Sequence, residues 1–283
     1  MYDFKIGAMA ESFRLDTLDG IRKAAEVGAQ GVQMYASRGE NSPWTMTAER
    51  KRALIRTVRE NGLVFSAICG DLGQGFGDRA RNAENIEKSK RIVDLALELG
   101  SNIVTTHIGV VPSNTEHERY KIMQEACRAL AEYADSVGAR FAVETGPEEA
   151  KTLRAFLDSL GSKGVSVNFD PANLVMVVGD DPAEAARTLG DYIVHTHAKD
   201  GVMLKRTNPE YIYKISEIPP EERGETFFRE VPLGEGSVDF DSYLAALDDI
   251  GYHGFLTIER EVGSNPEQDI RTAVGFLKDK IGR

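Results

Sequence analysis

Apolar residues recur along this chain with two alternating periods. Stretches such as Ile21-Arg22-Lys23-Ala24-Ala25-Glu26-Val27 and Ile92-Val93-Asp94-Leu95-Ala96-Leu97-Glu98-Leu99 repeat apolar positions three and four apart, as one face of a helix requires. Short apolar runs stand between them and read as strands. A glycine ends each helical stretch: Gly28, Gly62, Gly100, Gly138, Gly161, Gly190 and Gly251. Each sits where a helix C-cap favours a left-handed residue. Candidate strands follow at 31–35, 65–70, 103–108, 140–145, 165–170, 193–198 and 255–260, and Lys5-Ile6-Gly7-Ala8-Met9-Ala10 opens the series. Eight strands therefore alternate with seven helices, and Asn265-Pro266-Glu267 begins a closing helix over 265–281.

Strands alternating with helices imply right-handed crossovers and a parallel sheet. Eight such units in 283 residues fit a (β/α)8 TIM barrel, which takes about 250 residues. The expected fold is a single α/β barrel domain over 1–283. The rival is an open doubly wound sheet. Against it, Gly7-Ala8-Met9-Ala10 stands where a glycine-rich phosphate loop would follow the first strand, and the candidate site residues come from many strands. One connection breaks the rhythm. Segment 201–236 contains Arg206-Thr207-Asn208-Pro209, Pro219-Pro220 and Glu221-Glu222-Arg223-Gly224. A connection of that length is usually functional or disordered. Since it follows a strand C-terminus, it is either a lid over the barrel mouth or an idle surface excursion.

Four late strands end on metal-type ligands: Phe141-Ala142-Val143-Glu144, Val165-Ser166-Val167-Asn168-Phe169-Asp170, Ile193-Val194-His195-Thr196-His197 and Phe255-Leu256-Thr257-Ile258-Glu259. A charge at the end of a buried strand is costly unless something pairs with it. On one sheet the four would converge. Three carboxylates and an imidazole suit Mn²⁺, Mg²⁺ or Co²⁺. Glu11, Gln33, Asp71 and His107 are further polar residues near strand ends. For Glu11, Gln33 and Asp71, a satisfied core polar group or a rim salt bridge explains them as well as function does. Lys199 and Arg260 are the nearby cations, and each is placed to neutralise a neighbouring acid instead. His195 and His197 share one face of an extended strand. His197, nearer the mouth, is read as the ligand and His195 as a residue behind it or against substrate. Lys205 and Arg206 open the long loop, where one could meet a phosphate or a sugar oxygen. Cys69, at the end of the third strand, reads as a buried, inert thiol.

The formal net charge of −11 argues against a nucleic-acid partner. It leaves room for a small phosphorylated substrate, which a metal or a few local cations can hold. Two cysteines, Cys69 and Cys127, make a disulfide framework unexpected and point to a reducing cytoplasm. No apolar run approaches the roughly 18 residues of a membrane span, and Met1-Tyr2-Asp3-Phe4-Lys5 does not read as a signal peptide.

The segments Ala142-Val143-Glu144-Thr145, Asn168-Phe169-Asp170-Pro171-Ala172-Asn173, His195-Thr196-His197-Ala198-Lys199-Asp200, Pro232-Leu233-Gly234-Glu235-Gly236 and Gly251-Tyr252-His253-Gly254-Phe255-Leu256-Thr257-Ile258-Glu259 carry a resemblance over essentially the whole chain. The chain resembles the xylose isomerase-like barrel superfamily. That group includes sugar and sugar-phosphate isomerases and epimerases, the inositol-catabolism dehydratase and isomerase and, more distantly, the class II apurinic endonucleases. The resemblance implies one divalent ion (Mn²⁺, Mg²⁺ or Co²⁺, with Zn²⁺ a further choice) on Glu144, Asp170, His197 and Glu259. It implies an isomerase or epimerase of a sugar, keto-sugar or sugar phosphate, working by proton transfer through a metal-stabilised enediolate. Glu144 and Glu259 would be the acid/base pair, and His107, His195, Lys199, Asn173 and Arg206 would contact substrate. Barrels of this class often form dimers or tetramers through rim helices and loops.

The chain also departs from its relatives. Ketose 3-epimerases usually carry a His three residues after the Asp ligand, where Asn173 stands, and an Arg six residues after the metal His, where Met203 stands. The three-metal endonucleases need further His and acidic ligands. This chain has five histidines, with His117 expected in a helix and His253 in a tight turn. Two other activities fit the same apparatus: a metal-dependent lyase or dehydratase acting on a keto-sugar or keto-inositol, and a sugar-binding barrel without turnover. The intact Glu144 and Glu259 weigh against the second.

Overall fold

Eight parallel strands close on themselves in a computed structural model that describes residues 1–282. Seven of them run in order: β1 (Lys5–Met9), β2 (Gly31–Tyr35), β3 (Val64–Cys69), β4 (Ile103–Thr106), β5 (Arg140–Glu144), β6 (Val165–Phe169) and β7 (Ile193–Ala198). β8 (Asp200–Met203) and β9 (Phe228–Val231) form a separate antiparallel pair. β10 (Phe255–Ile258) pairs with β7 on one side and β1 on the other, which closes the barrel. The helices are α1 (Thr17–Glu26), α2 (Ala48–Glu60), α3 (Arg79–Leu99), α4 (Glu118–Val137), α5 (Ala150–Asp158), the single turn α6 (Pro171–Asn173), α7 (Pro182–Leu189), α8 (Pro209–Ile212), α9 (Phe240–Asp249) and α10 (Pro266–Ile281). Among the described residues no helix is long and apolar enough to cross a membrane.

Local chemistry sets these boundaries. Asp16, Asp78, Asp181 and Asp239 accept the first free N–H groups of α1, α3, α7 and α9. Pro182 and Pro266 occupy first-turn positions, where the missing N–H costs nothing. All seven helix-ending glycines read from the sequence have positive φ. Between the barrel wall and the helices lies the core, filled by fully buried side chains such as Phe141, Phe156, Phe169, Ile92 and Met123. Each contributes about 1.5–3 kcal/mol by leaving water.

The 201–236 connection is more ordered than a loop. It contains the β8–β9 hairpin and the short α8. Asp200 anchors it: its carboxylate accepts the backbone N–H groups of Gly201, Gly234, Gly236 and Val238 at 2.8–3.1 Å. A Cβ on residue 236 would lie 2.0 Å from Asp200 Oδ1, so the Pro232–Gly236 turn needs glycine there. The hairpin carries Phe228 and Glu230, and the α8 region Ile212 and Tyr213, to the mouth of the barrel.

Candidate metal centre at the barrel mouth

Four adjacent strands of the closed wall, in the order β10, β7, β6, β5, deliver the four sequence-predicted ligands. Glu259 follows β10, His197 lies in β7, Asp170 follows β6 and Glu144 ends β5. Register aligns Glu144 with Asn168, and His197 with Thr257. One ligand-type atom from each of the four lies within 4.8 Å of the others. Asp170 and His197 are 0% and 1% exposed, so neither charge is relieved by water. His197 Nδ1 faces Asp170 Oδ2 at 3.4 Å, Glu259 Oε2 at 3.5 Å and Glu144 Oε1 at 3.8 Å.

Surrounding groups hold these side chains in place. The Thr145 hydroxyl donates to the Asp170 carbonyl at 2.9 Å and accepts the Asp170 N–H at 2.8 Å. Asp170 Oδ1 accepts the Asn173 N–H. Glu144 accepts from the side-chain amides of Asn173 at 2.8 Å and Asn168 at 3.3 Å. Gly146 makes room for Asn173: at φ +128°, its added Cβ would sit 2.4 Å from Asn173 Cβ. Behind His197, Gln33 Oε1 lies 3.3 Å from His197 Nε2 and 2.9 Å from His195 Nε2, and its amide nitrogen donates to Thr105. With Nε2 turned toward Gln33, Nδ1 is the imidazole nitrogen directed at the carboxylates.

Charge is uneven across the group. Burial raises the Glu144 pKa to about 7, with His107 and His197 acting against the rise and Glu259 and Asp170 adding to it. Burial pushes Glu259 in the same direction, but Lys199 and His197 outweigh it and hold that carboxyl below its usual range. Lys199 Nζ is 2.9 Å from Glu259 Oε2 and also bonds Glu261. Burial disfavours a charged His107, yet Glu144 and Asp71 overcome this and bring its pKa to about 10. Its two nitrogens stand 3.5 Å from Asp71 and from Glu144. Three carboxylates in so small a space repel one another, and Lys199 bonds only one of them. Three oxygen donors and one nitrogen fit a hard or borderline divalent cation.

The quartet opens into a cavity of about 210 Å³. Glu144, His197, Glu259, His107, Lys199 and Asn173 line it, as do Gln33, Asp71 and Cys69. The structure does not bring the remaining predicted contacts there. His195 is buried against Gln33 and does not line the cavity. Arg206 lines a neighbouring cavity of about 540 Å³. Glu11 turns to the Thr17 hydroxyl, and Arg260 to Glu230 and Asp269. Sequence reasoning missed Tyr35, Met176, Ile212, Tyr213, Phe228 and Glu230 as lining residues. For Ile212 and Tyr213 the run Tyr211-Ile212-Tyr213 was the available signal.

Glu148, just after β5, is a buried acid outside the quartet. One oxygen accepts the Val111 N–H at 2.9 Å, and burial raises its pKa to about 8. The unfolded chain ionises it near 4.5, so from there to about 8 the unfolded state binds fewer protons than the folded state. Its contribution to stability therefore falls as pH rises through that window. Glu148→Gln keeps an acceptor for Val111 and removes the titration. Urea midpoints at pH 5.5, 7 and 8.5 should show the variant gaining on the wild type at each step. Parallel pH profiles would refute the assignment.

Residues 21–280 match the model of the family described as xylose isomerase-like TIM barrel. The chain is 23% identical to L-ribulose-5-phosphate 3-epimerase UlaE of Salmonella paratyphi C over 93% of this chain and 89% of that protein. It is 30% identical to the uncharacterized protein YfiH of Bacillus subtilis, a match covering 42% of this chain and 38% of that protein. The solved xylose isomerase domain protein from Planctomyces limnophilus superposes with a TM-score of 0.79 at 26% identity, over 99% of this chain and 97% of that one.

Proposed function

The chain belongs to the xylose isomerase-like TIM barrel family, and from that premise we propose that it is a divalent-metal-dependent isomerase or epimerase of a sugar or keto-sugar. The observation that carries this reading is the placement of the two glutamates. Glu144 and Glu259 are the outer members of the arc of four, with β6 and β7 between their strands. Both side chains line the cavity, with ligand-type atoms within 4.8 Å of each other.

In this reading Glu144, Asp170, His197 and Glu259 hold the ion. When bound, a divalent ion would polarise a carbonyl and its neighbouring hydroxyl and make the adjacent C–H more acidic. Glu259, kept ionised beside Lys199, takes the proton from carbon. Glu144, held by Asn173 and Asn168, would return a proton through a carboxylate oxygen not given to the ion. Return to the opposite face of the same carbon gives an epimer; return to the next carbon gives an isomer. His107, between Asp71 and Glu144, steadies the acid and faces the cavity. Ile212, Tyr213 and Phe228 form the lid side and keep bulk water from the reacting carbon.

The test is proton exchange. Mn²⁺-loaded protein incubated in D₂O with a panel of ketoses and keto-sugars should place deuterium on the carbon beside the carbonyl without changing the carbon skeleton. A product lighter by water would instead identify a lyase. A panel free of carbon-bound deuterium, with ion-loaded protein, would remove the proton-transfer reading.

A further inference from the structure

We propose that the substrate is an unphosphorylated monosaccharide, because the lined cavity offers carboxylates and an apolar wall but no free cation for a phosphate. This rests on the isomerase or epimerase reading and narrows its substrate class.

The argument starts from the cations. Among the described residues lining the cavity, Lys199 is the one Lys or Arg. Its Nζ is already engaged by Glu259 and Glu261, with Glu230 Oε2 at 4.0 Å. Arg260, directly after Glu259, turns away to Glu230 at 2.6 Å and Asp269 at 2.9 Å. His107 is the other basic wall residue away from the quartet, and it stands between Asp71 and Glu144. Acids dominate the lining: Asp71, Glu144, Glu230, Glu259 and Glu261. A phosphate dianion is bound by Arg, Lys or clustered N–H donors, and its oxygens accept only. Beside these carboxylates it would meet like charge. Sugar hydroxyls can donate, and each carboxylate oxygen accepts.

Size and shape agree. At about 210 Å³ the cavity is smaller than the roughly 300–1,000 Å³ of pockets for drug-sized ligands. Met9, Met176, Val177, Ile212, Phe228 and the ring of Tyr213 line it as well. Such a wall suits the C–H face of a single sugar. The neighbouring cavity shares Val177 and holds Arg119, Lys151 and Arg206. Arg119 pairs with Glu210 and Lys151 with Glu149, so a phosphate reaching across would depend on Arg206.

Paired probes decide the matter: D-fructose against D-fructose 6-phosphate, and D-ribulose against D-ribulose 5-phosphate, each with Mn²⁺-loaded protein in D₂O. In at least one pair the free sugar should exchange with a kcat/KM at least tenfold above its phosphate. Equal or faster exchange of the phosphates, particularly if Arg206→Ala abolishes it, would overturn the inference and leave the proton-transfer reading standing. If none of the four exchanges, that reading fails on these sugars. Calorimetric binding to the Mg²⁺-loaded protein then settles the inference. Tenfold tighter binding of a free sugar upholds it; tighter binding of a phosphate, or binding of neither, overturns it.

Discussion

Glu259→Gln and Glu144→Gln should each lower kcat by about 10³-fold, within the span general acid–base groups contribute. The substitution preserves size and one acceptor oxygen but removes the exchangeable carboxyl. The two losses have different origins. Glu259 has Lys199 at 2.9 Å, so its ionised form is fixed by a local counter-charge. Glu144 has no Lys or Arg partner among the described residues and is held by the Asn173 and Asn168 amides. Rates measured on the sugar found by deuterium exchange, with bound metal quantified in each variant, separate lost proton transfer from lost ion. A variant that keeps near-normal turnover would remove its glutamate from the mechanism.

Lys199→Met should cost the metal-free protein about 3–5 kcal/mol, the range for removing one partner of a buried ion pair. Lys199 is 4% exposed. Burial opposes its charge, but Glu259, Asp170, Glu261 and Glu230 outweigh that and hold its pKa well above the ordinary lysine value. Methionine fills much of the same space and leaves Glu259 buried beside Asp170 and Glu144 without that cation. Saturating Mn²⁺ should recover part of the loss, since an ion bound only by the folded state stabilises it. Urea unfolding with chelator and with Mn²⁺ provides both numbers. A loss below about 1 kcal/mol in both conditions would place this pair among those of little net value.

The barrel was legible because its punctuation is local. A glycine with positive φ closes each of seven helical stretches, and a short, mostly buried strand follows it. The convergence of Glu144, Asp170, His197 and Glu259 was legible for a related reason: each ends a strand, and parallel strands in one closed sheet bring their ends together. The β8–β9 hairpin was not legible. Its strands are four residues each, and Asp200 pairs with Val231 thirty-one positions away through backbone bonds the sequence does not announce. Asp200 follows the metal-type histidine by three residues and Gly234 and Gly236 belong to a distant glycine turn, yet one carboxylate ties them together. Depth along the strand was the other gap. His195 and His197 share a strand face and Gln33 bonds both, but of the two only His197 lines the cavity. Lys199 was open to two readings, pairing an acid or meeting substrate, and the structure shows the acid while leaving the residue on the cavity wall.

The central claim is that these four side chains hold a divalent ion. Elemental analysis of the protein after Mn²⁺ loading and dialysis, beside Asp170→Ala, tests it most directly. The account predicts about one ion per folded wild-type chain and its loss in the variant, because the site forms only from ligands the fold assembles. A wild type that retains no metal, or an Asp170→Ala protein that retains as much as the wild type, would contradict it.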